Sequence, residues 1–127
     1  MKYTVKKPIL GFEDVLEVEL EEIENIFCTL KPADKEYPKF TLINPYQFKE
    51  YSFDIPKDVQ ILLDIKEDSH ILAYNVVVLH NPITESQINF QAPLIFNKDN
   101  KTMAQFTITH EGLYTIDELL KLKNGAE

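Results

Sequence analysis

Residues 71–97, ILAYNVVVLHNPITESQINFQAPLIFN, constrain the fold more than any other part of the chain. Residues 71–79 are almost all aliphatic or β-branched, the composition of a strand buried on both faces, because branched side chains pack well on a pleated surface. Asn81-Pro82 then ends the ladder, since proline has no N–H to donate and drives the residue before it out of helical geometry. Residues 87–97 read as a second strand, with Ile88 and Phe90 alternating against Asn89 and Gln91. Pro93 lies inside that run, which predicts a sheet edge or a bulge there. A long strand, a proline-marked reversal and an interrupted partner strand begin an antiparallel sheet.

The remaining segments extend it. Residues 2–6 alternate weakly and form a first strand ended by Pro8, and Gly11 predicts a tight turn with positive φ. Residues 13–24 hold seven acids and no base. Within them Leu16, Val18 and Leu20 alternate with Glu17, Glu19 and Glu21, which predicts a half-buried strand with an acidic outer face. Residues 26–30 form a short strand with Cys28 as a small core hydrophobe. Residues 31–39, with two prolines, form a loop and the segment of greatest expected mobility. Residues 40–43 form a strand stopped by Asn44-Pro45, and 51–53 are a further candidate strand. Residues 56–64 fit both a strand and a helix, and Pro56 tips the balance to one short helix. Residues 98–101 make a turn, 102–109 the returning strand, and Thr115-Ile116-Asp117-Glu118 a capping box opening a C-terminal helix. The expected fold is mainly β: one small antiparallel barrel-like or sandwich domain over residues 1–127, with one or two short helices.

Charge and side-chain inventory exclude several functions. The net charge is −8, and all 13 basic residues are lysine. Without arginine the chain lacks the forked donors that grip phosphates and base edges, so no direct nucleic-acid binding is expected. No apolar run approaches the roughly 18 residues of a membrane span, and the first ten residues lack a secretory core, so a cytoplasmic location and no membrane contact are expected. One cysteine makes neither an internal disulfide nor a Cys-based zinc site. His70, His80 and His110 lie at no ligand spacing, so no metal is expected; His70 reads as solvated. There is no glycine-rich phosphate loop and no serine flanked by glycines. The expectation is a monomer without cofactor and without catalysis. What remains is surface: aromatics around a proline turn at Asn44, Pro45, Tyr46, Tyr51 and Phe53, and the pattern Asn89, Ala92, Pro93 and Asn97. The functional reading is an edge left incomplete by Pro93, open to a partner's added strand.

At these residues the chain resembles the FliW family of flagellar assembly factors. The resemblance rests on I-L-G-F-E at 9–13, I-N-P-Y at 43–46, S-F-D-I-P at 52–56, N-F-Q-A-P-L-I-F-N at 89–97, and Gln105. Many relatives carry a proline where this chain has Leu10. The resemblance implies a non-enzymatic switch that binds flagellin in the cytoplasm through a C-terminal flagellin segment. When free of flagellin, it binds CsrA, an RNA-binding translational repressor. The partner surface expected on this basis comprises Asn44, Pro45, Tyr46, Phe53, Asn89, Ala92, Pro93, Asn97 and Gln105. Glu17, Glu19 and Glu21 form an acidic face suited to the basic repressor. The alternatives are an export chaperone for flagellin alone and a small β-barrel ligand-binding module.

Overall fold

The computed structural model of the protein describes residues 1–23 and 26–124. Among these residues nine strands make one sheet: β1 (Lys2–Lys7), β2 (Glu17–Glu22), β3 (Phe27–Pro32), β4 (Phe40–Ile43), β5 (Ile71–Val78), β6 (Gln87–Asn89), β7 (Leu94–Asn97), β8 (Thr102–Gln105) and β9 (Leu113–Thr115). Two short helices, α1 (Lys57–Leu62) and α2 (Ile116–Asn124), lie outside it. The order β4-β3-β2-β1-β8-β7-β5 closes on itself because β4 also pairs with β5. The result is a seven-stranded barrel, not a sandwich. It is not wholly antiparallel, because β1 runs parallel to β8 with Thr4 opposite Thr102. A parallel pair between chain ends carries no local signal, whereas hairpins announce themselves through their turns.

Each barrel strand sends alternate residues inward. Tyr3, Val18, Leu30, Leu42, Tyr74, Phe96 and Met103 fill the interior with Cys28, whose thiol is buried as expected. A second buried cluster lies on the outer face of one side of the barrel. It joins Ile43, Val77, Ile95 and Ala104 to Val59 and Leu63 at α1 and Leu119 of α2. Burial on both faces therefore holds for all four residues of β7 and all four of β8, while β5 is buried at Tyr74, Asn75 and Val77 but exposed at Val78. β7 lies between β5 and β8, so Pro93 is not at a sheet edge; it breaks one long strand into β6 and β7, both of which pair with β5.

Local chemistry accounts for most boundaries. Gly11 has φ of 88°, a conformation glycine adopts without strain. α1 starts after Pro56, which stands at its N-cap, and buries Val59 while Leu62 stays exposed. Residues 51–53 are not a strand: the Tyr51 side chain is drawn into the outer cluster, and the segment pairs with nothing. β3 runs on through Pro32, so the loop expected at 31–39 starts two residues later. β8 ends at Gln105, short of the strand expected to 109. β2 has Val18 and Leu20 inward, but Leu16 precedes the strand and is 72% exposed. Glu24, the last acid of that run, lies outside the described residues.

At α2, Thr115 Oγ1 accepts from the Glu118 N–H and the Glu118 carboxylate accepts from the Thr115 N–H, both at 3.0 Å. This is the reciprocal capping box. Thr115→Ala is expected to cost about 1 kcal/mol, read as a lower denaturant midpoint.

Candidate functional site

The broken strand is the centre of the site. Pro93 offers no N–H, and between β6 and β7 the chain bulges over residues 90–93. Asn89 starts the bulge: its Oδ1 accepts from the N–H groups of Gln91 at 2.9 Å and Ala92 at 3.1 Å. The carbonyls of the bulge then lack ladder partners, and each finds another donor. Asn75 Nδ2 reaches the Asn89 carbonyl at 2.9 Å, Tyr51 Oη the Phe90 carbonyl at 2.6 Å, and Gln105 Nε2 the Ala92 carbonyl at 3.1 Å. The Ile108 and Phe106 N–H groups take the Gln91 carbonyl at 2.8 Å and the Pro93 carbonyl at 3.4 Å. Burial pushes the Tyr51 hydroxyl up to about 12, so it stays a donor across neutral pH. The edge expected to lie open at Pro93 is therefore closed, since a buried carbonyl without a donor is costly.

This accounting sorts the predicted residues. Ala92, Pro93, Asn97 and Gln105 are buried. Asn97 Nδ2 donates to the Leu63 carbonyl at the end of α1, at 2.9 Å, and its Oδ1 accepts from the Asp99 N–H at 3.0 Å. Gln105 Oε1 accepts from the Leu10 N–H at 2.7 Å. One side chain thus ties the turn before Gly11 to the bulge at Ala92. Pro45 is buried and opens a 3-10 turn capped by Asn44, whose Oδ1 accepts from the Tyr46 N–H at 3.0 Å. Tyr46 is 53% exposed, and Asn44, Phe53 and Asn89 are half-buried.

Of the accessible members, Asn44, Tyr46 and Phe53 lie on one arm, residues 44–56, which packs on the outer cluster, and Asn89 borders it in β6. Aromatic rings meet along it edge to face or tilted: Tyr46–Tyr51 at 5.9 Å, Tyr51–Phe53 at 4.9 Å, Tyr51–Phe90 at 5.1 Å and Phe90–Tyr114 at 5.3 Å. Tyr46, Gln47, Phe48, Lys49, Glu50, Tyr51 and Ser52 line a shallow open depression in it. Two residues of this site have no signal in the sequence. Lys49 Nζ donates to both carboxylate oxygens of Glu111, at 2.8 and 2.9 Å, and stands over the rings of Phe90 and Tyr114 at 5.1 and 4.8 Å. They are 62 positions apart in the chain.

The histidines do not converge. His70 pairs with Asp99, whose carboxyl is held below its ordinary range by the His70 backbone N–H and ring; His80 donates its backbone N–H to Ser86 Oγ; and His110 Nε2 meets the Ser52 carbonyl at 2.8 Å. No cluster of three or more metal-ligating side chains occurs among the described residues, and none of their helices is long and apolar enough to cross a membrane. On the far side of the barrel, Glu17, Glu19 and Glu21 share the outer face of β2. Glu19 lies opposite Lys2 and Lys31 and is 3.2 Å from the Met1 ammonium, whereas Glu17 and Glu21 are exposed opposite threonines.

Comparison with known proteins agrees with this architecture. The model of the FliW protein family matches residues 1–119. The chain is 44% identical over 124 residues to flagellar assembly factor FliW 1 of Wolinella succinogenes, covering 98% of this chain and 97% of that one. It is 46% identical over 108 residues to FliW 2 of the same organism, covering 85% and 79%, and 42% identical over 122 residues to FliW of Sulfurimonas denitrificans, covering 96% and 97%. Among solved structures, one described as the crystal structure of the flagellar assembly factor FliW superposes with a TM-score of 0.82 at 22% identity, over 93% of this chain and 84% of that one, a likeness of fold.

Proposed function

Because the chain belongs to the FliW family, we propose that it is a non-enzymatic cytoplasmic assembly factor that binds the C-terminal segment of flagellin. When free of flagellin, it binds and antagonises the translational repressor CsrA, so that flagellin synthesis follows export. The observation that carries the reading is 42–44% identity, over nearly the full length, to flagellar assembly factors. The flagellin surface is the arm around Asn44, Tyr46 and Phe53, with Asn89 at its border. In its favour is an exposed tyrosine set on fixed aromatic neighbours, since rigid aromatics supply contact area at low entropic cost. Pro45, Ala92, Pro93, Asn97 and Gln105 serve that surface from beneath by fixing its backbone.

The acidic face meets the repressor. Glu19 is already paired with the Met1 ammonium and lies opposite two lysines in the ladder, so the attraction comes chiefly from Glu17 and Glu21. The test has two parts. Purified protein should retain flagellin, and after flagellin is removed it should retain CsrA; retention of flagellin alone reduces the role to a chaperone, and retention of neither refutes the reading. Changing Glu17→Lys and Glu21→Lys together should slow association with CsrA about fivefold at low salt. The difference should shrink as the Debye length falls below about 8 Å. Equal association rates at low salt remove the acidic face from the proposal.

A further inference from the structure

We infer that Lys49 and Glu111 are positioning residues, a latch that presets the aromatic arm for its partner; the inference rests on the flagellin-binding reading above. Its basis is how little backbone bonding holds the arm, whose Tyr51, Phe53 and Ile55 otherwise only pack on the outer cluster. Among the described residues, no backbone–backbone hydrogen bond joins residues 50–55 to the sheet. Side chains hold them instead: Tyr51 Oη on the Phe90 carbonyl, Gln60 Nε2 on the Ile55 carbonyl, His110 Nε2 on the Ser52 carbonyl, and Lys49 on Glu111. A segment without ladder bonds belongs to the low-stability end of a fold.

Of these ties the ion pair is the one both charged and enclosed. The side chains of Lys49 and Glu111 are 17% and 9% exposed, against 41% and 60% for Lys7 and Asp58 on the barrel's side. A pair shielded in this way is not screened like a surface bridge, and the rings of Phe90 and Tyr114 add cation–π attraction to the ammonium. Glu111 is also next in sequence to His110. The β8–β9 connection therefore grips the arm at two points, Lys49 and Ser52, on either side of Tyr51. That grip fixes the depression in which Tyr46 is exposed.

Removing the ammonium leaves a largely enclosed carboxylate without its donor, and the carboxylate is drawn outward to water, releasing the arm. A binding site formed in only a fraction of molecules loses apparent affinity by that fraction. If release leaves the arm seated in about one molecule in ten, affinity falls about tenfold.

The experiment uses the full chain, a synthetic peptide of the flagellin C-terminus, and the variants Lys49→Met and Lys49→Arg. Lys49→Met is expected to speed amide exchange across residues 50–55 and to weaken peptide binding about tenfold, mainly through slower association. Lys49→Arg, which keeps a donor to both oxygens, should restore both. The general denaturant midpoint accounts for neither effect, because amides in β7 and β8 should keep their protection. Unchanged exchange in residues 50–55, or peptide affinity equal to wild type in Lys49→Met, overturns the latch. A wild-type protein that does not bind the peptide overturns the flagellin reading instead, and the exchange comparison still decides whether the latch holds the arm.

Discussion

Replacing Phe96 with alanine is expected to remove about 3–5 kcal/mol of unfolding free energy. Phe96 is fully buried in the barrel interior, with its ring edge to face against Tyr3 at 5.0 Å and Tyr74 at 5.9 Å. Its neighbours come from strands on either side of β7, β1 beyond β8 and the adjacent β5, and a closed wall has little freedom to collapse into the space left behind. The loss therefore combines the transfer of the ring with the cavity that remains. Denaturant titration measures it: a drop below about 1.5 kcal/mol, with unchanged slope, means that the barrel closes over the gap.

Gln105→Leu should cost about 2–4 kcal/mol by a different mechanism. Leucine is close in volume, so little cavity forms. It cannot accept from the Leu10 N–H or donate to the Ala92 carbonyl, and the buried Ala92 carbonyl loses its donor where water cannot easily replace it. Asn97→Ala gives an instructive contrast. The Leu63 carbonyl that Asn97 serves also accepts from Asn100 Nδ2 at 2.8 Å, so one of its two bonds has a substitute. Gln105 has none. Equilibrium unfolding of the two variants should rank Gln105→Leu as the more damaging; the reverse order makes the tie between Leu10 and Ala92 dispensable.

The same comparison explains what could be read from the residues alone. Gly11, the capping box at Thr115, the strand Phe40–Ile43 and the inward pair Val18 and Leu20 all depend on neighbours within a few positions. Their chemistry is local, and so is its signature. Pro93 was legible as a break, but what the break does was not. Its carbonyls are served by Asn75, Tyr51 and Gln105, separated from their acceptors by 14, 39 and 13 positions. Nothing in an asparagine or a glutamine says which distant carbonyl it will meet. Asn89 and Asn97 looked alike in the sequence, yet Asn97 is enclosed and Asn89 stands at the border of the arm. Tyr51 looked like a strand residue because aromatic residues favour strands. Its hydroxyl instead serves a carbonyl that the bulge had stripped of its ladder partner. Lys49 and Glu111 were invisible for the same reason, being joined only by the fold.

The parallel pairing of β1 with β8 has a consequence for how the molecule comes into being. Thr4 leaves the ribosome well before Thr102, yet the two must lie side by side for the wall to close. Until then β1 has only β2 as a neighbour, and its other edge stands open. Closing so long a loop adds little to its entropic cost beyond that of a moderate one, because the cost rises only with the logarithm of length. Timing is the heavier constraint: the nascent chain must keep an unpaired strand edge from other chains until β8 has emerged. Lys2, Lys6 and Lys7 put charge on the strand whose edge waits for β8.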